Sequence, residues 1–380
     1  MQAIVALAEC PDYRPATVQA AVAELLASLG GLPDLGQRGQ TVLLKPNLLT
    51  DRAPEQAVTT HPEIVRALIR MVKARGGCPT VADSPTSAIQ TERVWEKTGF
   101  KAMCAEEGVP LVNLEKSGSV QFDREGISYS VAKPVLEAAL VINVPKFKTH
   151  ILTTVTNAVK NILGTVPGFQ KTMLHKHFPS PVQFSAFLAT LYALVKPGLT
   201  ICDAVVAMEG DGPSGGEPRS LGFLAGATDG VALDAALCRL LGIPLEEVPY
   251  LGMLQRAGIG PADWNQIKIV GNVALPLPGP SLRLPRARGL VKFIPSWLVQ
   301  LLAGYVWIRP SFSTRCVQCG LCVKSCPVQA LSLPKGAKVP VLNPAVCVGC
   351  CCCHEVCPEL AVTMTQSFLL NLRSRGKLPA

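Results

Sequence analysis

Two cysteine runs of the same spacing carry the clearest chemistry in this 380-residue sequence. CVQCGLCVKSCP occupies positions 316–327, and CVGCCCCHEVCP follows thirty-one residues later at 347–358. Superposed, Cys316, Cys319, Cys322 and Cys326 fall on Cys347, Cys350, Cys353 and Cys357, and Pro327 falls on Pro358. Two copies of C-x2-C-x2-C-x3-C-P are the ligand run of a bacterial two-cluster ferredoxin, in which the fourth cysteine of each run serves the other cluster. Three thiolates on a tight loop reach three corners of one cube, while the fourth points away. The spacing therefore predicts two [4Fe-4S] clusters, cluster I on Cys316, Cys319, Cys322 and Cys357, and cluster II on Cys347, Cys350, Cys353 and Cys326. Zinc would also take four thiolates per site but gives no reason for the crossed spacing, and clustered cysteines in a reducing compartment do not form disulfides. Cys351 and Cys352 fall on Gly320 and Leu321 and are surplus to the pattern. They read as small apolar loop fillers, with a spare ligand or redox thiol as the alternative.

A second set of candidates lies in the first 280 residues. Lys45 and Asn47 follow the apolar run TVLL, and Asp83 and Ser84 follow TVA. Asn143, Lys146, Lys148, Thr149 and His150 follow ALVI; Asp203 follows LTIC, and Glu209 and Asp211 come just after the next apolar run. A polar residue at a strand end is often merely solvated. Its recurrence after several strands points to a ligand site, because open α/β sheets bind ligands at the carboxyl ends of their strands. The densest block is NVPKFKTHILTTVTNAVKNILGTVPG, 143–168. Thr149, Thr153 or Thr154 is placed to cap a helix running to about Leu163, whose free N–H groups would receive an anion with help from Lys146, Lys148 and Lys160. A solvated, well-capped helix is the plainer reading. MEGDGPSGGEP, 208–218, is a glycine-rich loop able to approach a ligand closely, though it is neither a P-loop nor a dinucleotide fingerprint. Glu209, Asp211 and Asp203 could hold a hard cation, a role that surface carboxylates seldom fill.

The elements that would position these residues alternate. AIVALAE, TVLLKPNLL, PTVADSP, PLVNLE, ALVINVP, LTICDAVVA and LGFLAGA are short, β-branched and apolar; the segments between them, such as TERVWEKTGFKAMCAEEG and DGVALDAALCRLLG, have helical spacing. Continuous apolar strands joined by helices imply an α/β fold, a mostly parallel sheet with helices on both faces. SVQFDREGISYSV reads as an inserted hairpin, and the Pro-rich VALPLPGPSLRLP as a linker. The expected organisation is an α/β domain over 1–270, a Pro-rich linker and apolar helix over 271–311, a small ferredoxin-like α+β domain over 312–362, and a basic tail over 363–380.

Ten of the 15 cysteines lie between 316 and 357, and Cys10, Cys78, Cys104, Cys202 and Cys238 are scattered, as expected of buried thiols in a reduced, cytoplasmic protein. MQAIVALAEC lacks the basic start and apolar length of a signal peptide. IPSWLVQLLAGYVWI, 294–308, falls short of the roughly 20 apolar residues of a membrane span. Flanked by Arg283, Arg286, Arg288, Lys292 and Arg309, it reads as a helix packed between domains, with peripheral membrane contact through residues 290–309 as the alternative. Net charge is +9, and residues 281–380 alone carry twelve Lys and Arg against Glu355 and Glu359. That basic end favours an acidic partner, such as a ferredoxin or flavodoxin acting as electron donor, or an acidic membrane surface. Basic residues interleaved with aromatics are missing there, which argues against nucleic acid.

Taken together, KPNLLT, VADSP, INVPKFKTHILTTVTNAVKNILGTVPG, DAVVAMEGDGPSGGEP and ATDGVALDAALCRLLGI resemble the bacterial and archaeal family called domain of unknown function 362, in its form with a C-terminal 2[4Fe-4S] ferredoxin-type domain. The resemblance covers about residues 1–260 and 312–362. It implies an α/β domain coupled to iron–sulfur clusters and supplies no substrate. From the residues, the leading expectation is an oxidoreductase passing electrons from two clusters to an anionic small molecule or cofactor bound in the α/β domain. Lys146, Lys148 and His150 would orient the anion, Lys45, Asn47, Asp83 and Glu209 would line the pocket, and His150 or Lys148 would give the proton. The alternatives are a non-catalytic electron carrier or accessory protein, and a redox sensor. Buried, converging lysines and carboxylates would favour the enzyme; dispersed, solvated ones would favour docking.

Overall fold

The computed structural model describes residues 2–35, 38–86, 88–277, 279–286 and 307–367. Strands of the large domain are β1 (Ala3–Glu9), β2 (Thr41–Pro46), β3 (Cys78–Asp83), β4 (Leu111–Asn113), β5 (Ser119–Arg124), β6 (Ile127–Ala132), β7 (Leu140–Val144), β8 (Lys146–His150), β9 (Thr154–Thr156), β10 (Leu199–Glu209), β11 (Glu217–Ala227) and β12 (Ile267–Gly271). Ten of them form one sheet in the order β12-β1-β11-β10-β7-β2-β3-β4, with β8 paired to β10 and β9 to β8. Pairing is mostly parallel; β11 runs antiparallel to both β1 and β10, and β9 antiparallel to β8. The expected hairpin is β5–β6, which stands apart from this sheet.

Side-chain alternation along the strands divides the interior into two cores. On β1, Val5 and Leu7 enter one core and Ala6 and Ala8 the other; on β2, Leu43 enters the first and Val42 and Leu44 the second. Helices Gly230–Leu240 and Pro181–Val195 cover the first face, and helices Pro15–Ser28 and Pro62–Ala74 the second. This is the doubly covered, mostly parallel α/β sheet expected from the apolar strands.

Several details differ from the sequence reading. The segment TERVWEKTGFKAMCAEEG forms two helices, Thr91–Lys97 and Phe100–Glu106, because Gly99 between them takes φ 77°. The block after β7 does not start a helix at Thr149, Thr153 or Thr154. It runs on as β8 and β9, and helix comes only with the short Ala158–Asn161 turn, whose first two N–H groups are taken by the buried Asp234 carboxylate and not left for an anion. Of the scattered cysteines, Cys78 is exposed at the start of β3, whereas Cys10, Cys104, Cys202 and Cys238 are buried. Residues 279–286 are not a free linker. Leu282 is buried, and the Arg283 side chain pairs with Glu209 at 2.7 Å. The apolar stretch at 294–308 lies almost wholly outside the described residues; its last residue opens strand β13 (Ile308–Phe312). No helix among the described residues is long and apolar enough to cross a membrane.

The C-terminal module pairs β13 with β16 (Val362–Gln366) and β14 (Leu331–Ser332) with β15 (Val341–Leu342). Its two halves repeat in backbone detail. Left-handed residues recur thirty-one positions apart, Gln318 with Gly349, Gly320 with Cys351, and Gln329 with Leu360. Sulfur contacts recur likewise, with Ala330 N–H donating to Cys326 Sγ at 3.1 Å and Ala361 N–H to Cys357 Sγ at 3.2 Å.

Candidate functional site

The module's cysteines sort into two groups around two cavities. One cavity, of about 370 Å³, is lined by Cys316, Cys319, Cys322 and Cys357; the other, of about 330 Å³, by Cys326, Cys347, Cys350 and Cys353 together with Cys351 and Cys352. Each group is three thiols from one run and the fourth from the other, the crossed arrangement of the ligand pattern. Among the described residues no three His, Cys, Asp or Glu side chains close on a single metal ion. Thiols spread around a cavity suit a cluster better than one ion.

Cys351 answers the question of the surplus pair in part. It is buried and packs on Ile151 of the large domain, beside Ile308 and Met364. It also adopts the left-handed conformation that Gly320 adopts in the first run. Cys351→Ala is expected to leave iron content unchanged while removing part of this contact, checked by iron and sulfide assay beside a melting curve. Cys352 is different, because it lines both the second cysteine-lined cavity and a larger one.

That larger cavity, of about 750 Å³, lies between the domains. The large domain contributes Lys45, Asn47, Asp83, Ser84, Lys148, His150, Lys160, Asn161, Lys171 and His175; the module contributes Ser325, Cys352, Glu355 and Val356. Strand ends place Lys45, Asn47, Asp83 and Ser84 there, and residues two apart on β8 place Lys148 and His150. Lys171 and His175, four apart on the helix Gln170–His177, share one face of it.

The cavity wall is tightly specified. Lys45 Nζ donates to Asp83 Oδ1 at 2.8 Å and to the Pro46 carbonyl at 3.0 Å, while Asp83 Oδ2 accepts from Leu48 N–H at 2.8 Å. The pair fits only because residue 164 is glycine: a Cβ there would stand 2.4 Å from Asp83 Oδ1 and 2.6 Å from Lys45 Nζ. Three amides form a chain, Asn143 Nδ2 to the Ala158 carbonyl, Asn161 Nδ2 to Asn143 Oδ1, and Asn47 Nδ2 to Asn161 Oδ1. Because the chain ends on a carbonyl, every amide orientation in it is fixed, and Asn47 Oδ1 is left to accept from Lys148 Nζ at 3.2 Å. Lys171 Nζ donates to the Ser84 carbonyl and hydroxyl and to the Val166 carbonyl. Lys160 Nζ lies 5.7 Å from the centre of the Phe184 ring.

Burial sets the charges. It pushes Lys148 down to about 7, with Lys160 adding to the effect, and Lys171 down to about 7; Lys160 is lowered for the same reason. His150 is pushed down to about 4 and His175 to about 3, so both rings are neutral at pH 7. His150 Nδ1 accepts from Leu152 N–H at 3.0 Å, which places the ring proton on Nε2, 3.2 Å from Glu355 Oε1. Burial pushes Glu355 up, but His150 and Lys160 outweigh it and hold the carboxylate ionised.

Two expected members stand elsewhere. Lys146 is spent inside the large domain on Asp203 and on the Tyr13 hydroxyl, both at 2.8 Å. Glu209 pairs with Arg219 and Arg283. With Asp203 and Glu209 so engaged, and Asp211 accepting from Arg286 N–H at 2.9 Å, the three carboxylates do not gather on a cation. The loop at 208–218 serves the domain junction instead. Ser214 Oγ donates to the Glu355 carbonyl at 2.8 Å, His354 Nε2 lies 2.9 Å from the Asp211 carbonyl, and Arg52 reaches the Cys357 carbonyl at 2.7 Å. A Cβ on Gly215 would stand 2.6 Å from the His354 ring, so this loop needs glycine where the module lies on it.

A doubly covered α/β domain whose cationic cavity is closed by a cysteine-rich module is the class these features define. Residues 315–361 match the model of a 4Fe-4S dicluster domain, and residues 42–239 that of a domain of unknown function, DUF362. The chain belongs to the DUF362 family and carries an iron–sulfur domain at its C-terminal end. Thylakoid-associated protein sll1697 of Synechocystis sp. is 33% identical over 259 residues, 68% of this chain and 80% of that protein. The lactate racemase apoprotein of Thermoanaerobacterium thermosaccharolyticum aligns in structure with a TM-score of 0.42 at 13% identity, over 64% of this chain and 58% of its own.

Proposed function

We propose that the protein is an iron–sulfur oxidoreductase acting on an anionic small molecule held in the interdomain cavity. The observation that carries this reading is that one cavity is walled both by buried lysines and by residues set between the cysteines of the second ligand group. Two [4Fe-4S] clusters, held by the two crossed cysteine groups, supply single electrons when bound. The remaining work belongs to the chain. Lys160 and Lys171 attract the anion, since an incoming negative charge offsets the desolvation that lowers both groups. Asp83 fixes Lys45, the amide chain fixes Asn47, and the module covers one side of the site. His150 presents its Nε2 proton toward the cavity side of Glu355.

Electrons enter from a protein partner at the rim of the first cysteine group, where Val317 and Cys319 are exposed. Arg315, Lys324, Lys335 and Lys338 give the module a basic surface that suits an acidic ferredoxin or flavodoxin. Reduction by such a donor is expected to slow as salt rises from low ionic strength to above 0.1 M, where exposed charges more than about 10 Å apart are screened. A salt-independent stopped-flow rate would remove this surface from consideration. The name of the Synechocystis relative places that protein at a thylakoid; for this chain, a peripheral membrane contact through the basic flanks of residues 290–309 is consistent with it.

The test of the reading is a melting screen of the anaerobically loaded chain against phosphorylated and carboxylated metabolites, followed by mixing each stabilising anion with dithionite-reduced protein. An enzyme gives anions that both raise the melting temperature and restore the oxidised visible spectrum. Anions that stabilise but leave the protein reduced would make it a carrier with a regulatory site.

A further inference from the structure

The four lysines of the interdomain cavity differ in what their nitrogens face. Lys171 has three acceptors, enough for all the hydrogens of an ammonium group. Lys45 has a carboxylate to hold its charge. Lys148 has two acceptors, the Val58 carbonyl at 2.6 Å and Asn47 Oδ1 at 3.2 Å, both neutral. Among the described residues, no carboxylate lies within ion-pair distance of it. A neutral primary amine has two hydrogens and one lone pair. Val58 and Asn47 take the two hydrogens, and the lone pair is left to point away from both. Burial, which lowers Lys148 to about 7, agrees with this count of acceptors. The same site places the neutral His150 ring two residues along the strand, with its proton on Nε2.

We propose that Lys148 is a nucleophilic amine that forms an imine with a carbonyl-bearing anion, an oxo acid or an anionic aldehyde, whose charged group lies against Lys160 and Lys171. Lys148 Nζ attacks the carbonyl carbon, forming a C–N bond, and the carbonyl oxygen becomes a hydroxyl by taking a proton from the nitrogen. Loss of that hydroxyl with a second proton, as water, leaves the C=N bond; no oxidant or reductant is consumed. His150 Nε2–H, 3.2 Å from Glu355 Oε1 in the empty cavity, turns from that carboxylate to donate to the departing oxygen. The inference deepens the oxidoreductase reading and rests on the cavity being its ligand site.

The experiment traps the imine. The full chain, anaerobically loaded with iron and sulfide, is treated separately with pyruvate and with pyridoxal 5′-phosphate in the presence of cyanoborohydride, then digested and mapped by mass spectrometry. The expected result is a reduced adduct at Lys148 at least tenfold above that at the exposed Lys101, lost in Lys148→Arg and kept in Lys97→Arg, an exposed position outside the cavity. Labelling at Lys148 no stronger than at Lys101 with both probes overturns the proposal, and this comparison needs no variant to fold. Inorganic phosphate in a parallel melting assay separates the two layers. If phosphate stabilises the wild type but Lys148 stays unlabelled, the imine falls and the anion site stands; if neither occurs, both fall.

Discussion

Lys160→Gln is expected to weaken binding of a carboxylated or phosphorylated ligand by about tenfold to a hundredfold, leaving iron content unchanged. The substitution removes a charged hydrogen-bond donor worth about 1.5–3 kcal/mol against an anion in a desolvated site. Lys160 is the sharpest choice because its nitrogen faces the Phe184 ring and, among the described residues, no carboxylate within ion-pair distance, so that Glu355 compensates its charge only from further off. Calorimetric titration of wild type and variant measures the difference; equal affinities would place the anion elsewhere. The affinity should also depend on pH in a definite direction. Burial brings Lys171 to about 7, opposed by Asp83 and Glu115 and reinforced by Lys45 and Lys160. Above that pH the empty site has lost the Lys171 proton, and an anion must restore it to bind. Affinity therefore falls as pH rises beyond about 7, by up to about tenfold per unit for one proton taken up. A flat profile between pH 7 and 9 would show that Lys171 does not charge on binding.

Cys350→Ala should have two effects where Cys319→Ala has one. On the proposed two-cluster ligation each removes a ligand of one cluster, so iron is expected to fall from about eight to about four atoms per chain in both variants. Cys350 sits in the loop that supplies three of the module's wall residues, Cys352, Glu355 and Val356, whereas the loop of Cys319 supplies only Ser325. Loss of that cluster frees the loop, and the melting response to anions should disappear in Cys350→Ala while persisting in Cys319→Ala. Iron and sulfide assays with the anion melting series make the comparison. Retention of the response in both variants would mean that the wall holds without its metal.

The parts of this molecule that were legible in its sequence are those whose physics is local. Continuous apolar runs gave away the strands, and the repeated cysteine spacing shows up as a repeated backbone, down to left-handed residues at matching positions. The misread block after β7 also held its own signal. In KFKTH, Lys146, Lys148 and His150 alternate with Phe147 and Thr149, a period of two that belongs to a strand, and the β-branched TVT that follows continues it. The same alternation could not show that Lys146 would be taken by Asp203, fifty-seven residues away in sequence, or Glu209 by Arg219 and Arg283. Such partners are set by the tertiary fold. Lys171 and His175 escaped notice although their four-residue spacing on a short helix marks one face. Glu355 could have been found as one of only two acids in the last hundred residues, placed between two ligand cysteines.

The glycine-rich loop at 208–218 and the cysteine loop at 347–358 meet through backbone carbonyls and through one close glycine, Gly215 against His354. Contacts of this kind need a matching main-chain shape on one side and a particular side chain, Ser214 or His354, on the other. The two halves are consequently poor candidates for exchange. A generic ferredoxin grafted in place of residues 307–367 would bring the cysteines but neither the histidine that reaches Asp211 nor the glutamate that faces His150. Gene fission into separate electron carrier and α/β protein would likewise leave an open cavity on one product. The junction ties the two segments into one unit of inheritance, in which a change in either loop selects for a matching change in the other.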